Sequence, residues 1–177
     1  MKNVLSVALV AAALISSSAY ASDGQITING QVIDNTCVIN GGAYDKVVTL
    51  PTVSTLSLGT VGMTAGDTAF TIPLTSCSAS SAVALMHFEA GATVSQTSGN
   101  LVNQAGVGAS NVEVQLLDGN TFNALNLAGG VGAQNLQPVA IVAGGADINL
   151  VARYKAQTGP AVAGPVSTYV TFSIGYN

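Results

Sequence analysis

Cys37, Cys77 and His87 carry the most reactive side chains in this chain, and none has the neighbours that catalysis or metal binding needs. Two cysteines can form a disulfide, hold a metal or exchange electrons. The last two uses are built on short spacings such as Cys-x-x-Cys, and no such spacing occurs. His87 is the only histidine and lies in an apolar run, so a triad or a histidine-rich metal site has a single residue to draw on. Gly106-Val107-Gly108-Ala109 is the nearest approach to a phosphate loop, but it lacks a third glycine and a following helix. There is no Gly-x-Ser-x-Gly nucleophile elbow, and the 8 carboxylates are scattered along the chain. The residue types therefore point away from an enzyme and imply no catalytic residue, no cofactor and no bound metal. His87 reads as a sheet residue without a chemical role.

The N-terminus decides what the cysteines do. Lys2 gives a short positive region, residues 4–15 are almost wholly apolar, and Ala19-Tyr20-Ala21 puts small residues at both positions that a signal peptidase reads. The apolar run falls short of the roughly 20 residues that a membrane anchor needs. Residues 1–21 are thus expected to be a signal peptide, leaving a mature chain of 156 residues with no membrane insertion. In an exported protein, Cys37 and Cys77 are expected to pair as a structural disulfide. The mature chain sets Lys46, Arg153 and Lys155 against eight carboxylates, a formal net charge of −5. That balance offers no basic patch for nucleic acid or for anionic membranes. Charged residues make up only 7% of the whole, and the mean hydropathy is +0.52. Such a charge-poor surface suits a subunit that buries much of itself in an assembly.

The elements that position these residues read as strands throughout. Short apolar-alternating runs are separated by turns rich in Gly, Ser, Thr and Asn, and no stretch of the mature chain keeps a helical period. Strands are expected at residues 26–33, 37–39, 47–50, 69–75, 82–90, 111–117 and 148–154, with a further extended piece at 56–59. Asn40-Gly41-Gly42 marks a turn, and residues 91–108 and 127–145 are loops or weak strands. The last strand runs to the chain end, with Val170, Phe172, Ile174 and Tyr176 on one face and Tyr169, Thr171, Ser173 and Gly175 on the other. Nothing follows to pair with it, and such an open edge invites a strand from another chain. A second alternating run, with Ile26, Ile28 and Val32 on one face, stands near the opposite terminus.

These features together resemble the fimbrial subunits of the chaperone–usher pathway, the type 1 pilin-like proteins of Gram-negative bacteria. The resemblance spans nearly the whole mature chain. It rests on Ile26-Thr27-Ile28-Asn29-Gly30-Gln31-Val32 leading to Cys37, and on Phe70-Thr71-Ile72-Pro73-Leu74-Thr75-Ser76-Cys77. Asn111-Val112-Glu113-Val114-Gln115-Leu116-Leu117-Asp118 and Ala152-Arg153-Tyr154-Lys155-Ala156 add to it, as do a penultimate Tyr176 and Gly164 in the C-terminal pattern.

The resemblance implies an all-β fold, an incomplete immunoglobulin-like β-sandwich that lacks its final strand and is completed by donor-strand exchange. It divides the mature chain into a donor extension, residues 22–30, and a pilin domain, residues 31–177. Gly24, Ile26 and Ile28 would form the donor face. Val170, Phe172, Ile174 and Tyr176 would line the acceptor groove and chaperone-binding strand, and the carboxylate of Asn177 would be the chaperone's anchor. Gly164 would be a turn of the family pattern, although as a residue before Pro165 it also reads as an ordinary turn. The partners implied are other copies of the chain or related pilins, a periplasmic chaperone and an outer-membrane usher. The implied destination, by way of the periplasm, is a fimbrium on the cell surface that supports adhesion. The rival reading is a free-standing secreted β-sandwich that binds sugar or protein, lectin-like. The absence of Trp and an aromatic content of 5% leave little for a sugar-stacking platform.

Overall fold

The computed structural model describes residues 37–78 and 82–177. Eight strands are present among them: β1 (Val38–Ile39), β2 (Thr64–Thr75), β3 (Val83–Phe88), β4 (Leu101–Val102), β5 (Val112–Asp118), β6 (Val139–Ala140), β7 (Ala146–Ala156) and β8 (Phe172–Tyr176). They form two antiparallel sheets, one of five strands in the order β1-β2-β7-β5-β4 and one of three in the order β6-β3-β8. The fold is that of an immunoglobulin-like sandwich, as the family resemblance implies.

The period-2 alternation of each strand sends one set of side chains into the space between the sheets. Ile72 and Leu74 of β2, Leu116 of β5, and Ile148 and Leu150 of β7 meet Ala84, Met86 and Phe88 of β3 in one buried cluster. Register keeps the large side chains aligned: Ile72 faces Ile148 across the β2–β7 ladder, and Phe88 faces Phe172 across β3–β8. Cys37 and Cys77 are joined in a disulfide that closes a separation of 40 residues, tying the start of β1 to the chain just after β2. A loop of that length is worth about 4 kcal/mol in the chain-entropy picture.

Two expected strands are absent. Residues 47–50 have no ladder partner and run as irregular chain, although Val48 and Leu50 pack on the core. The apolar pattern there reports burial on one side, not pairing. Thr55–Leu58 is a turn of 3-10 helix, not an extended piece, because the Ser54 hydroxyl accepts the Leu56 N–H and starts the turn. Other strands run longer than their patterns suggest. β2 begins at Thr64 because a bulge between Ala65 and Thr68 absorbs a register shift. Gly66 in that bulge has φ of 76°, and a Cβ there would stand 3.1 Å from the Tyr154 ring. The expected strand at residues 26–33 lies outside the described residues.

Candidate functional site: an open groove beside the last strand

Residues 166–177 alternate between half-buried and exposed without a break, and the even-numbered side chains point inward. Backbone hydrogen bonds obey the same parity. Asn177 exchanges bonds of 3.0 Å with Val83 in both directions, and Glu89 N–H donates to the Thr171 carbonyl at 2.8 Å. Odd-numbered residues of the segment thus face β3. In an antiparallel strand, the N–H and C=O of Phe172, Ile174 and Tyr176 must then face the other way. β8 is the terminal strand of its sheet, so among the described residues no strand meets that edge.

Upstream of β8 the chain stays tethered on one side only. The Ser167 carbonyl accepts from Gln104 N–H at 2.7 Å, and the Tyr169 carbonyl accepts from the Thr93 hydroxyl at 2.6 Å. Across from this segment lies the irregular stretch that carries Val48 and Leu50. Between the two walls is a groove of about 970 Å³ whose floor includes Phe70, Ile72, Leu116 and Tyr154. A second cavity of about 300 Å³ continues beyond Val166, among Val53, Leu58, Val112 and Ala161; Tyr154 and Val166 border both. Burial raises the Tyr154 phenol above its usual pKa.

Of the residues expected from sequence, Val170 and Phe172 line the groove. Ile174 and Tyr176 continue the same inward row and pack against the core further along β8. Asn177 is exposed, and its backbone oxygen accepts from Ala82 and Val83 N–H at 2.7 and 3.0 Å. Gly164 is exposed and serves a close approach: a Cβ there would fall 2.5 Å from Ala109 N and 2.6 Å from the Gly108 carbonyl carbon. Gly24, Ile26 and Ile28 lie outside the described residues.

Sequence reasoning missed the opposing wall and the second cavity, and it took Thr168 as the start of the accepting strand without counting it among the residues that line the groove. The parity rule extended two residues upstream of Val170 was enough to find Thr168. Its hydroxyl is buried at the groove and has no hydrogen-bond partner among the described residues. His87 stands on β3 with Nε2 4.0 Å from Glu89 Oε2. No group of three metal-ligating side chains occurs among the described residues.

This arrangement provides an apolar trough bordered by unpaired backbone, suited to receive an extended segment with alternating apolar side chains. The family model of FimA, type-1 fimbrial protein A, matches residues 50–177. The chain belongs to the type-1 fimbrial protein family. It is 40% identical to the F17 fimbrial protein of Escherichia coli over 174 residues, covering 94% of each chain. Identity to the major fimbrial subunit SMF-1 of Stenotrophomonas maltophilia is 44% over 165 residues, or 90% of this chain and 96% of that one. A chain from the structure of a chaperone–usher pilus superposes with a TM-score of 0.63 at 18% identity, over 88% of this chain and 96% of the other. That likeness speaks for the fold. This type-1 fimbrial family member is a structural pilus subunit and not an enzyme, and a free-standing ligand-binding sandwich is not favoured.

Proposed function

We infer that the subunit polymerises by strand donation: residues 22–30 of one copy enter the groove of the next and complete its sandwich. The observation that carries this reading is the edge of residues 166–176, where inward side chains and unpaired backbone groups lie along an apolar trough. Ile26 and Ile28 of the incoming arm are the plugs, with Gly24 on the same face. Each buried isoleucine contributes roughly 1.5–3 kcal/mol of transfer free energy, offset in part by ordering the arm. Val170, Phe172, Ile174 and Tyr176 form the accepting row.

An exposed apolar trough in a monomer is an aggregation hazard, so a periplasmic chaperone occupies it before assembly and an outer-membrane usher directs the exchange. The Asn177 terminus, exposed at the end of β8, is the chaperone's anchor. After export through the periplasm, the product is an extracellular fimbrium that supports adhesion.

Deleting residues 22–29 from the mature chain tests the reading. The truncated subunit should still co-purify with its chaperone, since its groove is intact, and should build no fibre, since it has nothing to donate. Fibres of normal length from that variant would overturn strand donation.

A further inference from the structure

We propose that Asn40 is a site of spontaneous deamidation, and that this modification unlatches the irregular wall of the groove. The wall, residues 43–50, belongs to no ladder. Three hydrogen bonds reach it among the described residues, and all three come from Asn40. The Asn40 carbonyl accepts from Ala43 N–H at 3.2 Å. Its side-chain Nδ2 donates to the Ala43 and Asp45 carbonyls at 2.7 and 3.1 Å. Otherwise the wall is held by the packing of Val48 and Leu50 on the core. The side chain of one residue thus supplies two of the three bonds that fix the start of the wall. The inference concerns the domain itself and holds whatever fills the groove.

Asn40 is also the one asparagine among the described residues that a glycine follows. Asparagine is thermolabile, and a glycine after it has no side chain to keep its backbone nitrogen from the amide carbon. Gly41 and Gly42 are exposed, and a Cβ at either would meet nothing within 4 Å, so no neighbouring chain bars the reaction. The Gly41 nitrogen attacks Asn40 Cγ and closes a five-membered imide. The Cγ–Nδ2 bond breaks, and Nδ2 leaves as ammonia with the proton that the Gly41 nitrogen gives up. Water then opens the ring at either carbonyl, giving aspartate or isoaspartate. One water is consumed, one ammonia is released, and nothing is oxidised or reduced. Either product carries a carboxylate, which can only accept hydrogen bonds. Both side-chain bonds are lost, and a negative oxygen is set against the two carbonyl oxygens that they had joined.

Two measurements test the site and the latch separately. In the first, mature full-length subunit recovered from the periplasm is held at mildly alkaline pH and body temperature, and its peptides are mapped by mass. Asn103 is the internal control: its Nδ2 also donates to two carbonyls, of Ala109 and Pro165 at 2.9 and 3.0 Å, but Gln104 follows it. The acid and its isoaspartyl isomer should accumulate at position 40 while Asn103 keeps its amide. An Asn40 as durable as Asn103 would overturn the site. The second measurement uses Asn40→Asp, which installs one product directly, and trypsin. Lys46 lies in the wall, whereas Arg153 and Lys155, the other basic residues of the mature chain, lie in β7. Cleavage follows the population of the locally opened chain, and two bonds of this kind are worth about a tenfold change in it. Asn40→Asp should therefore be cut after Lys46 about tenfold faster than the unsubstituted subunit, with β7 left intact. The gel is run with reductant, because Cys37–Cys77 would otherwise keep the two pieces together. Equal rates at Lys46 would overturn the latch. Cleavage in β7 that rises in step would show the whole domain loosened, and would overturn it equally.

Discussion

Asp118 holds the turn after β5 together, and its chemistry gives the most specific expectation at the scale of single residues. Burial pushes its carboxyl up, but the backbone N–H groups of Gln137, Thr121 and Asn120 outweigh that and hold it below the usual 3.8. A depressed carboxylate contributes stability that is present above its unfolded pKa and lost as pH falls through the folded value. Urea midpoints should therefore be flat near neutrality and fall below pH of about 4, and Asp118→Asn should flatten that acid limb. Asp118→Ala, which leaves the three N–H groups without their acceptor, should cost about 3 kcal/mol. Gly164→Val is the second residue-scale case. Its Cβ would overlap the backbone at Gly108 and Ala109, so a loss of about 1–3 kcal/mol is expected in the same titration. A midpoint equal to that of the unsubstituted protein would mean that the two loops part freely. The expected strand at residues 111–117 ends beside Asp118, but its contact with Gln137 depends on a loop that returns from further along the chain. The disulfide was legible because an exported chain with two cysteines has only one pairing.

At the scale of elements, the proposed function rests on the terminal strand, and its facing can be tested by charge. Phe172→Asp or Ile174→Asp would place a carboxylate on the inward row, where an occupant cuts it off from water. Each should abolish stable capture in chaperone co-purification, while the outward-facing Thr171→Asp should have little effect. Equal losses from both kinds of substitution would mean that the facing is misassigned. The alternation at residues 170–176 was plain in the sequence because the segment is buried on one side only. β2, β5 and β7 were legible for a similar reason, although Val151 and Leu117 are buried on the opposite face of their sheet. Residues 47–50 misled because apolar spacing records burial and says nothing of a hydrogen-bonding partner. That same irregular stretch is what makes the second wall of the groove. A strand laddered to β8 there would close it.

At the scale of the molecule, the described residues form a sandwich whose interior opens into a groove beside β8. The five-stranded sheet, tied by Cys37–Cys77, gives the groove its floor, and the three-stranded sheet ends in the open edge. Reduction of the disulfide should therefore weaken the subunit as a whole: Cys37→Ser should lower its periplasmic yield, whereas unchanged yield would assign the bond a minor role. The all-β class and the open edge of the last strand were readable from the chain, but the groove was not, because its floor residues Phe70, Ile72, Leu116 and Tyr154 come from three separated strands that only folding brings together.

The central claim is that the arm and the groove are complementary, and thermal unfolding of the domain of residues 31–177 with added peptide measures this most directly. A peptide of residues 22–33 should raise the melting temperature, with a stabilisation of about 2.7 kcal/mol when it is present at 100 times its dissociation constant. The same peptide carrying Ile26→Asp and Ile28→Asp should leave the melting temperature unchanged, since backbone pairing remains available but two charges would enter the apolar trough. Equal stabilisation by both peptides, or by neither, would contradict the account.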